Sequence, residues 1–351
     1  MLNRILVASY TNSIYTLHFN PDTLSLTQIA AVDVGHQPSW IATHPSDTTL
    51  VFAALEQSDG QVVAVKYASD YTTASVLATA PTNGQDPCCL LATRDELLIA
   101  NYSSGSISII PISSKPPFIL SAAVIIQLFG KGPNDQRQRH AHAHQVLLDD
   151  AGVELLVADL GSDRVCRFTK ATDSGAWVLQ GSIRYQPGSG PRHAAIHDGA
   201  LYTLCELDNT LVKHRFHALP AQSTHIATKP TLLKPPPNPH AMLAAELLIP
   251  KPNSAFPTAY AYVSNRNDPS PEGDTIAIFG IEGDALELVT EVHTGLCHLR
   301  GMQFGGPQDK WLIAGGVNGG GVKVFERTDG GKGLKEIANA DVSCPTGFLW
   351  V

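Results

Sequence analysis

The stretch GHQPSWIATHPSDTTLVFAALEQSDGQVVAVKY, residues 35–67, contains the pattern that decides the fold. A turn with glycine and proline leads into an apolar strand, and a polar turn leads to a second strand that ends in Glu56. A short turn then precedes a third, alternating strand. Similar patterns occupy residues 84–112, 142–168, 188–216, 237–279 and 295–325. A seventh copy is split between CPTGFLWV, residues 344–351, and ILVASYTNSIYTLHF, residues 5–19.

The spacing of these copies favours one closed repeat architecture. Aligned on the residue at which each copy opens, usually a proline, they stand 46 to 60 residues apart, which suits four-stranded propeller blades. A β-sandwich and a βα fold are the alternatives, but no helical period is sustained over about 12 residues. The sequence therefore predicts one all-β domain over residues 1–351, a seven-bladed β-propeller. Pairing of the N- and C-terminal strands in one blade would close its ring.

Charge and composition exclude several classes of protein. The net charge is −8 and no basic run is present, which argues against a nucleic-acid or membrane-surface partner. The six cysteines form no CxxC pair, and neither a signal peptide nor a membrane span is evident. We therefore expect a cytoplasmic protein. The proline-rich stretch around residues 229–257 predicts a loop or a contact in a homo-oligomer.

The first strand of each blade lines the channel of a propeller, so the residue after each opening position belongs to one ring. This ring contains Ser39, Cys88, His144, Arg192, His240, Arg300 and Thr346. Four of the seven are His or Arg, where a structural repeat would have small or apolar residues. The second strands end near the same mouth in Glu56, Asn101, Asp159, Glu206 and Arg266. Buried ionisable groups are costly unless paired or used, so we expect a polar site on the axis.

The run RHAHAHQV, residues 139–146, has three histidines at alternate positions. On a strand, His140, His142 and His144 would share one face. Metal ligation, hydrogen bonds to nearby backbone, and contact of His142 or His144 with a substrate all remain open. Because the sequence offers no obvious fourth ligand, we expect no metal.

The remaining candidates each have a structural and a functional interpretation. Arg192, next to His193 in GSGPRH, either forms a salt bridge between blades or clamps a carboxylate or phosphate. Glu206 either neutralises Arg192 or serves as general acid or base. Arg266 either pairs with a nearby carboxylate such as Glu206 or binds substrate, and both roles are open for Arg300.

The segments RQRHAHAHQV, DLGSDRV, GSGPRH, CELDNT and SNRNDPSPEGDTIAIF resemble signature segments of the seven-bladed lactonase family. That family includes 6-phosphogluconolactonases of the cycloisomerase-2 type and fungal carboxy-cis,cis-muconate cyclases. The resemblance covers essentially the whole chain and implies an enzyme with no metal and no organic cofactor. It implies catalytic roles for His144, Arg192, Glu206 and Arg266. We expect substrate contacts from His142, His193, Arg300 and His240, although CHLRGM lacks the proline that usually precedes the arginine matching Arg300.

The leading expectation is cofactor-independent closing or opening of a lactone ring on a small carboxylated substrate. The segment SNRNDPSPEGDTI and the proline-rich insertion look most like the cyclase branch, in which Arg192 and Arg266 would hold carboxylates and His144 or Glu206 would deliver a proton. The alternative is a lactone hydrolase of the 6-phosphogluconolactonase type, in which the same base activates water. A non-catalytic propeller that serves as an interaction platform is the second alternative.

Overall fold

The computed structural model describes residues 3–235 and 241–351, and over these residues the chain forms seven four-stranded antiparallel sheets. The N-terminal strands are β1 (Arg4–Ser9), β2 (Ser13–Asn20) and β3 (Ser25–Asp33). Blade 1 contains β4 (Pro38–His44), β5 (Asp47–Leu55), β6 (Gln61–Tyr67) and β7 (Ala74–Pro81). Blade 2 contains β8 (Pro87–Ala92), β9 (Glu96–Asn101), β10 (Ser106–Pro111) and β11 (Val124–Gln127). Blade 3 contains β12 (Ala143–Leu148), β13 (Glu154–Asp159), β14 (Arg164–Lys170) and β15 (Trp177–Arg184).

The second half of the chain repeats this order. Blade 4 contains β16 (Pro191–His197), β17 (Ala200–Cys205), β18 (Thr210–Arg215) and β19 (Thr224–Pro230). Blade 5 contains β20 (Leu243–Leu248), β21 (Tyr260–Arg266), β22 (Thr275–Gly280) and β23 (Glu287–His293). Blade 6 contains β24 (Cys297–Gly305), β25 (Trp311–Gly319), β26 (Val322–Thr328) and β27 (Gly333–Ala340). The last strand, β28 (Pro345–Trp350), is the innermost strand of blade 7.

Blade 7 is shared by the two chain ends, as the split repeat predicts. Strand β28 pairs with β1 so that Leu6 lies opposite Leu349 and Val7 lies opposite Phe348. Each innermost strand also contacts the innermost strand of the next blade, around a closed ring. The prediction of a seven-bladed β-propeller closed by both termini is therefore confirmed.

The hydrophobic core lies between the blades. Its clusters of buried side chains each join two neighbouring sheets; one contains Val7 and Phe348 of blade 7 together with Ile313 of blade 6. The middle strands are covered on both faces, which explains uninterrupted apolar runs such as β5 and β13. Outer strands such as β3 are largely exposed. The sequence pattern of each blade thus follows from its two-sided packing.

Each innermost strand has an irregular register close to its first residue, and this irregularity positions the axial side chains. In five blades the residue skipped by the pairing with the second strand is the predicted ring residue, namely Ser39, Cys88, His144, Arg192 and Arg300. In blade 7 the pairing of β28 with β1 skips Thr346. A β-bulge bends its strand and re-aims the bulged side chain. Six of the seven predicted ring residues therefore occupy equivalent backbone positions.

Blade 5 departs from the predicted alignment. His240 lies outside the described residues, and strand β20 begins at Leu243, with its register shift between Ala244 and Leu247. The bulge of blade 5 contains Ala245 and Glu246, and the ring assignment of His240 stays a prediction. In sequence, Pro239 of the proline-rich insertion resembles the proline that opens most other blades.

The structure also bears on the expectations about membrane spans and cysteines. Within the described ranges, no helix is long and apolar enough to cross a membrane. All six cysteines are unpaired, and Cys88, Cys89, Cys166 and Cys205 are buried. The cytoplasmic location stays a prediction.

Candidate active site

Glu206 is the centre of a cluster of charges at the mouth of the channel. It directly follows β17, and its carboxylate lies 2.9 Å from Nε of Arg192 and 2.7 Å from Nη2 of Arg266. Nη2 of Arg137 donates to its other oxygen. Burial alone would raise the pKa of Glu206, but Arg266, Arg192 and Arg137 together lower that pKa to about 2. The carboxylate is therefore ionised at neutral pH and holds three guanidinium groups in place.

The arginines are anchored by backbone as well as by Glu206. Arg192 donates through Nη1 to the carbonyl of Ala245 in the bulge of blade 5. Arg266 donates through Nε to the carbonyl of Leu243 at 3.2 Å. Burial and the nearby Arg266 lower the pKa of Arg192 to about 10, which still leaves it charged at neutral pH. These contacts fix the guanidinium planes without neutralising all of their charge.

Arg300 belongs to a second group across the mouth. Its Nη2 lies 2.9 Å from Oε2 of Glu56, and Tyr10 donates to the same oxygen at 2.9 Å. The guanidinium also lies over the ring of Tyr10, 5.2 Å from its centroid. Its Nη1 donates to the carbonyls of Ser39 and Thr346, so Arg300 joins three blades as well as facing the axis.

The mouth has an excess of positive charge although the whole chain carries −8. Four guanidinium groups, those of Arg137, Arg192, Arg266 and Arg300, pair with two carboxylates, Glu56 and Glu206, and a third carboxylate, Glu246, also acts on Arg192 and Arg300. Low-dielectric walls strengthen such a field and concentrate counter-ions. The arrangement is therefore suited to a small anion.

His144 lies next to this cluster and is almost completely buried, with 7% of its surface exposed. Burial, followed by the charge of Arg192, holds its pKa well below the usual range, so the imidazole is neutral at neutral pH. Its ring centroid lies 5.3 Å from that of His193 and 5.7 Å from that of Tyr102. A neutral imidazole in this position is able to accept a proton.

The three histidines of the HxHxH run do not share one strand face. Strand β12 starts at Ala143, so His140 and His142 precede it. Nδ1 of His140 bonds the carbonyl of Ala141 at 2.9 Å, and Nδ1 of His142 bonds that of Tyr102 at 3.0 Å. The expectation that all three share a strand face was wrong, although the ring centroids of His140 and His142 lie 4.3 Å apart. In residues 3–235 and 241–351, no three His, Cys, Asp or Glu side chains come close enough to hold a metal ion.

The sequence did not single out two residues that contact the site. Arg137, whose side chain is 34% exposed, is the most accessible of the four arginines and donates to the hydroxyl of Tyr102 at 3.2 Å. It opens the segment RQRHAHAH, in which the alternating histidines are the stronger sequence signal. His298 lies at the rim, bonded to Asn267 at 2.9 Å, and burial and Arg266 lower its pKa to about 4. Neither residue occupies the position that follows the opening residue of a blade.

The fold and the site define the class of protein: a seven-bladed propeller with a cationic site at the mouth of its axial channel. Comparison with known proteins identifies the family. The sequence profile "Lactonase, 7-bladed beta-propeller" matches residues 4–350, so the chain belongs to this family, which confirms the resemblance. It is 25% identical to the 6-phosphogluconolactonase of Bacillus subtilis (strain 168), covering 97% of this chain and 95% of the relative. A provisionally named 6-phosphogluconolactonase of Arthroderma benhamiae is also 25% identical, covering 92% of this chain and 82% of the relative.

A solved structure shows the same similarity in three dimensions. A Bacteroides fragilis protein, also provisionally named a 6-phosphogluconolactonase, superposes with a TM-score of 0.86 at 26% identity. The match covers 100% of this chain and 98% of the other.

Proposed function

We propose that this protein hydrolyses a lactone ring on a small anionic sugar derivative, in the manner of a 6-phosphogluconolactonase. The relatives described above carry lactonase names, and their similarity spans nearly the whole chain. These names support the hydrolase alternative better than the carboxymuconate cyclase that was the leading expectation. The observation that carries the proposal is the cluster of four arginines, which outnumber the three carboxylates near them, Glu56, Glu206 and Glu246.

Arg137 and Arg266 are the groups best suited to bind the anionic substituent. The side-chain hydrogen bonds of Arg137 to described residues all use Nη2, which leaves Nε and Nη1 for a ligand. Those of Arg266 use Nε and Nη2, which leaves Nη1. Guanidinium groups bind phosphate and carboxylate through paired hydrogen bonds. In this proposal Glu206 aligns the arginines and does not itself transfer protons, because its pKa is about 2.

His144 is assigned the role of general base. Water attacks the ring carbonyl carbon while the imidazole takes one of its protons, and an arginine N–H stabilises the negative charge on the carbonyl oxygen. The ring C–O bond then breaks, and the imidazolium returns the proton to the leaving oxygen. A bound anion partly balances the arginine charges that lower the pKa of His144. Substrate binding therefore raises that pKa toward the working pH, where a base is most effective.

The test compares ring opening of 6-phosphogluconolactone and of unphosphorylated gluconolactone by proton release, corrected for spontaneous hydrolysis. We expect the wild-type protein to open the phosphorylated lactone with the higher kcat/KM. Arg137→Met should raise KM roughly 10- to 100-fold, the value of one to two charge-assisted hydrogen bonds, with a smaller effect on kcat.

Arg215→Ala is the control for loss of a positive charge, because Arg215 is 54% exposed and pairs with the surface residue Asp284. It should leave both constants unchanged. The same preparations are incubated with 3-carboxymuconate. Cyclisation of carboxymuconate without opening of either lactone would refute the hydrolase proposal in favour of the cyclase. Inactivity on all three compounds would refute it in favour of a non-catalytic platform.

A further inference from the structure

His193 is a second buried histidine, behind His144, and its orientation is held on several sides. It is completely buried, and its Nδ1 contacts Oε1 of Glu246. The ring of Trp40 lies 5.6 Å from its centroid and the ring of His144 lies 5.3 Å away. A carboxylate only accepts hydrogen bonds, so Nδ1 of His193 carries the proton and Nε2 presents a lone pair.

Two imidazole nitrogens in this region have no partner. Nε2 of His193 and Nδ1 of His144 are both buried, and neither forms a hydrogen bond with any residue that the structure describes. Buried polar atoms are almost always satisfied by protein or by an ordered water. No direct hydrogen bond joins the two rings, so a water that donates to Nε2 of His193 and accepts from Nδ1 of His144 is the arrangement that satisfies both atoms and links the two imidazoles.

From this geometry we propose that Glu246 and His193 are positioning residues, which hold His144 in the tautomer with the proton on Nδ1. Nε2 of His144 then has the free lone pair that the base requires. The proposal rests on the function proposed above for His144. Neither positioning residue needs to contact the substrate. The logic is that of a base whose tautomer is set by the group behind it.

The location of Glu246 supports a role that acts through His193. Glu246 lines a cavity of ≈ 180 Å³ together with Trp40, Gln145 and Phe348, which follow the ring positions along the innermost strands. The cavity therefore lies deeper in the channel than the arginine mouth. Glu246 belongs to the bulge of blade 5, where the ring position had been assigned to His240.

Long-range ¹H–¹⁵N NMR spectra of the uniformly labelled protein test the tautomer without any substrate. The two neutral tautomers have distinct nitrogen shifts, and His144→Gln identifies the signals of His144. We expect a protonated Nδ1 and a bare Nε2 in the wild-type protein. A bare Nδ1 with a protonated Nε2 would overturn the proposal, whether or not the protein opens lactones.

Variants then connect the tautomer to turnover. His193→Phe keeps a ring of similar size without an acceptor, and should convert the His144 signals to a mixture of tautomers. It should also lower kcat in proportion to the fraction of His144 in the wrong tautomer, by less than the roughly 10²- to 10⁴-fold contribution of a general base, with little change in KM. Glu246→Gln should produce the same changes in weaker form. Glu246→Asp keeps the carboxylate and should therefore retain more of the wild-type tautomer and kcat than Glu246→Gln.

His214→Phe is the matched control. His214 is a buried histidine of the same blade, 5% exposed, and its Nδ1 also has no partner among the described residues. This variant should lose similar stability and leave the His144 tautomer unchanged. If kcat and the His144 signals are unaltered in both His193→Phe and Glu246→Gln, the positioning roles of Glu246 and His193 are overturned. The proposed lactonase activity would stand in that case.

Discussion

Replacing Glu206 by glutamine removes the charge that three arginines share while keeping the shape of the side chain. The folded pKa of Glu206 is about 2, against an ordinary value of 4.5. Because the folded-state pKa is depressed, the stabilisation is fully present above pH 4.5 and is lost as the pH falls toward 2. The shift corresponds to about 3 kcal/mol, in the range measured when one partner of a buried ion pair is removed. The Glu206 carboxylate is 3% exposed, so solvent screening is small.

Urea unfolding at pH 7 in a buffer without phosphate measures this loss. Glu206→Gln should be less stable than the wild type by about 3 kcal/mol, which corresponds to a fall in Tm of about 4 °C for a chain of this size. As the pH falls from 4.5 to 2, the free energy of unfolding should decrease less in the variant than in the wild type. Asp284→Asn in the exposed pair with Arg215 is the control and should cost less than about 1 kcal/mol.

Added phosphate distinguishes an anion site from a purely structural ion cluster. Glu206→Gln leaves three guanidinium groups without their carboxylate, so inorganic phosphate should stabilise the variant more than the wild type. A variant as stable as the wild type at pH 7, with the same pH dependence below pH 4.5, would refute the assignment of Glu206 as the common anchor of the arginines.

Two further predictions concern the ring and the base. Deleting residues 344–351 removes β28 and its pairing with β1 through Leu349 and Phe348, so the ring opens. Thermal melting followed by circular dichroism should then lose its single cooperative transition. A native-like melting curve would contradict closure of the ring by this strand. The acid limb of kcat/KM reports the free protein, and His144 has a pKa well below the usual histidine range, so activity should persist below pH 6.5 and fall only at lower pH. A midpoint of that limb at or above 6.5 would show that His144 is not the base of the free protein.

Much of the fold was predictable because each blade repeats one local pattern. Middle strands such as β5 and β13 are buried on both faces, so their apolar runs are visible without knowledge of the neighbouring blades. The split seventh repeat predicted the pairing of β28 with β1. Local signals are a weaker guide in blade 5, where β20 starts at Leu243 without a proline.

The sequence by itself determined the seven blades, their closure and the positions from which Arg192, Glu206 and Arg266 approach one another. These depend on a repeated pattern of apolar residues, which is local. Only the tertiary structure decided that Glu206 pairs with three arginines, and that Glu246 meets His193, 53 positions away in the chain. Apart from the pair of Glu206 with Arg192 inside blade 4, these contacts join different parts of the ring, and no local pattern specifies which side chain of one bulge faces which of the next.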